Sequence, residues 1–134
     1  MTYLLDTNVC IVYLARKYPL KVHQKLASIS SKEIALCSIV KAEIIYGTFK
    51  GNYSPQTVAL RQSFLTQFVS LPFDDLAAEI YGQERARLAK FGQSIGPNDL
   101  MIAAIALANN LTLVTHNTRE FSRVANLQIE DWEL

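Results

Sequence analysis

Three acids in this 134-residue chain stand where an α/β sheet would place its chemistry. Asp6 ends the apolar run Tyr3-Leu4-Leu5, Glu43 comes six residues after the run 34–37, and Asp99 opens the apolar run 100–108. A fourth polar group, Asn117, follows Leu-Thr-Leu-Val-Thr (111–115) and His116. If these runs are parallel strands and the helices that follow them, all four groups gather at the carboxyl edge of one sheet, where open α/β folds hold their ligands. Carboxylates gathered there repel one another and add little as structure. They suit a hard cation such as Mg²⁺, which takes oxygen ligands. Such an ion makes water a usable nucleophile and neutralises charge on a phosphate under attack, so the pattern points to phosphodiester hydrolysis.

Each acid also has an ordinary role available. Asp6 after a short strand can cap the next helix. Glu43 on an amphipathic helix can be solvated, although its neighbours Ala42, Ile44 and Ile45 are apolar. Asp99 is favourable in a first helical turn. The helix it opens is apolar on every side, however, and no Arg or Lys lies within a turn of it in sequence, so a carboxylate at its mouth needs a partner. Other chemistries fit less well. His23 and His116 are far apart and form no histidine–carboxylate pair at metal-ligand spacing, so a zinc site is not expected. No G-x-x-x-x-G-K-S/T or G-x-G-x-x-G loop is present, and no nucleophile elbow supports a Ser-His-Asp reading.

The elements that must position these residues alternate. The pattern predicts a strand at 3–5, a helix from Val9 to about Lys17 capped by Thr7 or Asn8 and ended by Pro19, and a helix over 21–27. A strand at 33–37 leads through Ser38 as N-cap into a helix over 39–49, which Gly51 terminates. Pro55 opens a helix to about 67, a short strand follows at 69–72, and Asp74 and Asp75 start a helix to Lys90 whose inner face is Leu76, Ile80, Glu84 and Leu88. After the loop 92–96, Pro97 begins the apolar helix; a strand at 111–115, a short helix at 119–124 and a strand at 127–129 complete the chain. Strands alternating with helices imply a parallel sheet covered on both faces, an α/β three-layer sandwich. Residues 1–134 read as a single domain, with no internal repeat.

Half of the residues are hydrophobic and 19% are charged, as in a folded globular protein. The net charge is +1, but setting aside Asp6, Glu43 and Asp99 leaves nine acids against 13 bases, a surface balance near +4 that mildly favours a polyanion. Cys10 and Cys37 sit inside apolar stretches and read as small buried residues in a reducing compartment. No secretory leader is expected, and the longest apolar segment is too short to span a bilayer, so a cytoplasmic location without membrane contact is expected.

Leu-Leu-Asp6-Thr-Asn, Ala-Glu43-Ile-Ile-Tyr-Gly, Ile-Gly-Pro-Asn-Asp99-Leu-Met-Ile-Ala-Ala and Leu-Val-Thr115-His-Asn117-Thr-Arg-Glu-Phe121 occur in this order across nearly the whole chain. Together they resemble the PIN-domain ribonucleases, and within them the VapC-type toxins of type II toxin–antitoxin pairs. The resemblance implies a PIN-like sheet of about five parallel strands, an endoribonuclease dependent on Mg²⁺ with Mn²⁺ substituting, and RNA as substrate, transfer RNA being plausible. It also implies a homodimer and a VapB-type antitoxin whose C-terminal segment covers the active site, with DNA met only through that antitoxin. By position, Asp6, Glu43 and Asp99 are the catalytic, metal-holding acids. Asn117 stands where many members carry a fourth acid; it can offer a carbonyl oxygen or hold a water, with Thr115 and Glu120 one layer behind.

Lys41, Arg85, Arg87, Lys90 and Arg119 are the bases that could meet RNA phosphates, with Arg85, Arg87 and Lys90 the best grouped. Val12, Tyr13, Leu26, Leu60 and Phe64 exceed what a small sheet needs and could seat an amphipathic partner helix. Two alternatives stay open: a non-toxin PIN-like nuclease acting on other RNA or on DNA, and a PIN-like interaction module without catalysis.

Overall fold

The computed structural model describes residues 1–15 and 21–134. Five short parallel strands form one sheet: β1 (Tyr3–Leu5), β2 (Ile34–Cys37), β3 (Val69–Leu71), β4 (Thr112–Val114) and β5 (Ile129–Glu130), in the order β3-β2-β1-β4-β5. Their sequences explain the arrangement. β2 is Ile-Ala-Leu-Cys and every residue in it is buried, as a strand covered on both faces requires. Among the described residues seven α-helices supply the cover: α1 (Thr7–Leu14), α2 (Lys21–Ser28), α3 (Ser38–Lys50), α4 (Pro55–Gln67), α5 (Asp75–Lys90), α6 (Pro97–Ala108) and α7 (Thr118–Phe121).

The strand order carries the functional consequence. From β1 the chain builds outward through β2 and β3, then returns to the other side of β1 with β4 and β5. The direction of winding therefore reverses between β1 and β4, and the crevice at the carboxyl ends of that pair is the natural ligand position of an open sheet. Register fixes its contents. Leu5 lies opposite Val114, so Asp6 and Thr115 emerge side by side one residue further on.

α6 is the buried helix that the sequence predicts. Pro97 occupies its first turn, and Leu100 and Ile102–Ala106 are all buried. Its alanines let it lie close to α5, against which it packs most extensively. Fully buried Leu4, Leu5, Leu36, Ile102, Ile105, Leu113 and Phe121 make up the centre of the core; each such side chain contributes about 1.5–3 kcal/mol relative to exposure.

Several expectations need correction in detail. Asp6, not Thr7 or Asn8, caps α1, its side chain accepting from Thr7 N–H. α1 ends with Ala15 as its cap, and the expected extension to Lys17 with its Pro19 stop lies outside the described residues. Cys37 is the cap residue of α3, while the Ser38 hydroxyl donates instead to Leu71 O at 3.3 Å. On α5 Leu76 is exposed and Ala77 takes the inward position, because the helix is rotated to bury Glu84 with Leu88. The last strand lies at 129–130 rather than 127–129, set by pairing of Leu113 with Ile129. Cys10 and Cys37 are buried and free, as expected.

Candidate active site

Asp6 is the anchor of the crevice. It leaves β1 with its backbone N–H bonded to Val114 O at 3.0 Å, and the residue is only 3% exposed. Thr7 N–H donates to Oδ1 at 2.7 Å and the Thr115 hydroxyl donates to Oδ2 at 2.8 Å. Each carboxylate oxygen thus accepts one protein hydrogen bond and keeps lone-pair capacity for a ligand. Thr115 is itself fixed, since its Oγ1 accepts from Asn117 N–H at 3.0 Å.

The other acids come from three further elements. Glu43 lies in the second turn of α3, half-buried, and its Oε1 accepts from the Thr7 hydroxyl at 2.7 Å. Asp99 is in the first turn of α6, directly after Pro97 and Asn98. Glu120 in α7 accepts from Asn117 Nδ2 at 3.2 Å. Asp6, Glu43 and Asp99 lie close enough to act on one another's charge, as does Glu120 on Asp99, with Thr115 bonded to Asp6 and Asn117 to Thr115 and Glu120. Thr7 was legible only as a helix cap, yet it links the two acids: its backbone binds Asp6 and its hydroxyl binds Glu43.

The electrostatics mark these acids as mutually opposed. Burial pushes the Asp99 carboxyl up to about 6, and the charges of Asp6, Glu120 and Glu43 push in the same direction. Burial also raises Asp6, against the lowering effect of its bonds from Thr115 and Thr7, and Glu43 adds to the rise. Among the described residues no ion pair reaches any of the four. Oxygen donors from carboxylates at a solvent-reachable edge, with Asp6 and Asp99 raised first by burial and further by neighbouring acids, are the donor set of a hard divalent cation.

Among the described residues, the set of three ligand-type side chains whose donor atoms all lie within 4.8 Å of one another is elsewhere, at His116, Asp131 and Glu133. The edge acids do not close to that degree.

The basic residues are dispersed. Arg87 bonds Glu84 through Nε and through Nη2 at 3.1 Å, and Nη2 also donates to Arg123 O at 2.8 Å, so it is engaged in the fold. Arg85 donates to the Tyr81 hydroxyl at 2.7 Å. Lys90 ends α5 in solvent, Lys41 lies on α3 beside Ile45 and Phe49, and exposed Arg119 precedes Glu120. Tyr13, Leu60 and Phe64 line a groove of about 380 Å³ with His23, and Leu26 lines its smaller neighbour.

Comparison with known proteins agrees with this fold. The PIN domain family matches residues 3–127. Ribonuclease VapC2 of Rickettsia felis is 40% identical over 99% of both chains. The tRNA(fMet)-specific endonuclease VapC of Shigella flexneri is 37% identical over 98% of each. The crystal structure of DNA-bound VapBC from Salmonella typhimurium contains a chain that superposes with a TM-score of 0.90, at 36% identity and 98% coverage of both. Ribonucleases with this domain use divalent metal ions. No helix among the described residues is long and apolar enough to cross a membrane. The chain belongs to the PIN-domain family, among its VapC ribonucleases.

Proposed function

We propose that this protein is a Mg²⁺-dependent endoribonuclease, with Mn²⁺ able to substitute, that acts in the cytoplasm as the toxin of a toxin–antitoxin pair. The observation that carries the reading is the gathering of Asp6, Glu43, Asp99 and Glu120 at the β1–β4 crevice without a cationic partner among the described residues. Asp6 and Asp99 would hold the ion directly, with Glu43 beside them and Asn117 reaching it through water. When bound, the ion supplies a water of lowered pKa and charge neutralisation at the phosphate. Thr115 and the Thr7 backbone orient Asp6, and the Thr7 hydroxyl orients Glu43, so these neutral donors hold the acids at their stations without neutralising them. Burial, with the charges of Asp6, Glu120 and Glu43, holds the Asp99 carboxyl up at about 6. Residues 1–134 act in this reading as one PIN unit.

Transfer RNA is the proposed substrate, an inference supported by the tRNA(fMet)-specific endonuclease of Shigella flexneri that the chain resembles. Arg119, Lys90, Arg85 and Lys41 are the bases left in solvent or only half-buried to meet phosphates, Arg119 nearest the acids in sequence. A VapB-type antitoxin is the proposed partner, its helix in the Tyr13–Leu60–Phe64 groove and a basic side chain against the carboxylates, with DNA met through it. The outward residues Tyr46 and Phe49 of α3, 65% and 75% exposed, offer apolar area to a second copy in a homodimer.

The test is incubation of the pure protein with total cellular RNA, with Mg²⁺ and with chelator. Discrete cleavage that chelator stops is the expected result. Cleavage of DNA alone, or none of either, would replace this reading with one of another nuclease or of an interaction module. In a bacterial host, expression of the chain should arrest growth and expression with Asp6→Ala should not.

A further inference from the structure

We propose that His116 Nδ1, Asp131 Oδ2 and Glu133 Oε2 form a second cation site, built for Zn²⁺ rather than for the hard ion of the sheet edge. The donors come from two segments, the turn after β4 and the tail after β5. Nδ1 stands 2.9 Å from Asp131 Oδ2 and 3.8 Å from Glu133 Oε2, and the three ligand atoms all lie within 4.8 Å of one another. An ion bonded tetrahedrally at about 2.0 Å holds its ligand atoms roughly 3.3 Å apart, and the two measured separations fall on either side of that value. One imidazole with two carboxylates is a donor set that Zn²⁺ accepts, leaving a fourth position for water, whereas Mg²⁺ favours oxygen alone.

The local chain geometry holds both carboxylates on the same side. Trp132 between them is buried and packs edge-on against Tyr3, with ring centroids 5.2 Å apart, and its indole N–H donates to Glu130 Oε1 at 3.0 Å. Glu133 N–H donates to Asp131 Oδ1 at 2.9 Å, which leaves Oδ2 facing the imidazole. The Asp131 and Glu133 side chains are 8% and 14% exposed while that of His116 is 58% exposed, so the site opens to solvent on the imidazole side. Lys21 and Lys25 of α2 line the groove beyond Asp131, but among the described residues the ion pairs made by these two carboxylates are with His116. A single imidazole faces two carboxylates there, and a dication among the three would balance both charges. Sequence spacing concealed the site, because His116 meets its partners only through the pairing of β4 with β5. The bound ion would tie the C-terminal tail to the turn that carries Thr115 and Asn117.

The inference stands apart from the nuclease reading, and its test is arranged accordingly. Full-length protein carrying Asp6→Asn and Asp99→Asn is titrated with Zn²⁺ by calorimetry, and with Co²⁺ followed by visible absorption and by quenching of Trp132, the sole tryptophan of the chain. The expected result is one equivalent of either ion, with Trp132 quenched by Co²⁺. Adding His116→Ala, or separately Glu133→Gln, should weaken binding by at least about tenfold, the loss that even an outer hydrogen-bond partner of a metal ligand produces. Absence of binding in the double Asn protein overturns the proposal. So does binding that neither further substitution alters, and if His116→Ala fails to fold, Glu133→Gln alone decides.

Discussion

Glu84 and Asp6 are both more than nine-tenths buried, yet the fold answers one with cationic and backbone donors and surrounds the other with further acids. Glu84 receives Arg87 at both oxygens and the Ala125 N–H at 2.6 Å, and these bonds hold its carboxyl below the ordinary range, the Arg87 bond most of all. Arg87 also reaches Arg123 O, so the group fastens α5 to the segment after α7. Asp6 receives only the Thr7 N–H and the Thr115 hydroxyl, and its carboxyl is raised. The difference teaches that burial of an acid is not itself a sign of function. The sign is burial left electrostatically uncompensated, because such a group costs stability unless something outside the chain completes it.

The sharpest way to break this comparison is to neutralise one acid in each region. Asp6→Asn or Asp99→Asn should reduce ribonuclease activity to background while the fold persists, and in chelator the thermal midpoint should hold or rise because repulsion is relieved. Calorimetric melts beside an RNA cleavage assay would show it; cleavage retained by the purified double variant would remove these acids from the chemistry. Glu84→Gln should do the reverse. It weakens the bonds that buried Glu84 accepts from half-exposed Arg87 and from the Ala125 N–H, costing about 1–3 kcal/mol of stability while the folded molecules keep their activity. Loss of activity without loss of stability would mean that Glu84 serves the site after all.

A smaller effect separates the two regions by pH, and the signs are opposite. Asp99 has a folded value of about 6 against an ordinary 3.8, so without metal the folded state binds more protons between those values. Stability in chelator should therefore fall as pH rises through roughly 4 to 6, and the slope should diminish in Asp99→Asn, leaving the smaller share of raised Asp6. Glu84 is lowered from 4.5, so its stabilisation is present above that value and is lost as pH falls through the folded one. Affinity for Mn²⁺ should also weaken below about pH 6, where a proton occupies Asp99. A stability curve in chelator that Asp99→Asn leaves unchanged would contradict the repulsion on which the site is argued.

How much of this was legible in the sequence follows from range. Apolar runs with acids at their ends gave the strands, the buried α6 and the stations of Asp6, Glu43 and Asp99, because each signal is contained in a few neighbouring residues. Relations carried by tertiary pairing were not visible in that way. Arg87 reads as a free base until Glu84 is seen to be buried three residues before it. Thr7 reads as a cap until α3 brings Glu43 to its hydroxyl, and His116 reads as isolated until β5 delivers Asp131. Ser38 illustrates the same limit in reverse, since its cap signal yields to a bond across to Leu71 O.

Asn117 gives the finest test of the comparison, because it lies between compensation and its absence. Its amide Nδ2 donates to Glu120 Oε2 at 3.2 Å and its backbone N–H donates to Thr115 Oγ1, so it steadies two groups that border the acids without adding charge. Asn117→Asp removes the amide donor and turns a neutral support into a further repelling carboxylate. In chelator the variant should be slightly less stable than the parent, on the order of 0.5–1 kcal/mol, as for other like-charge neighbours near a surface. With a divalent ion present the same change adds an anionic ligand group, and Mn²⁺ affinity should rise several-fold, the equivalent of about 1 kcal/mol. Calorimetric titration at fixed ionic strength measures both sides of this balance. Unchanged affinity would place position 117 beyond the groups that sense the ion, and weaker affinity would show that its bond to Glu120 matters more than any charge it could add.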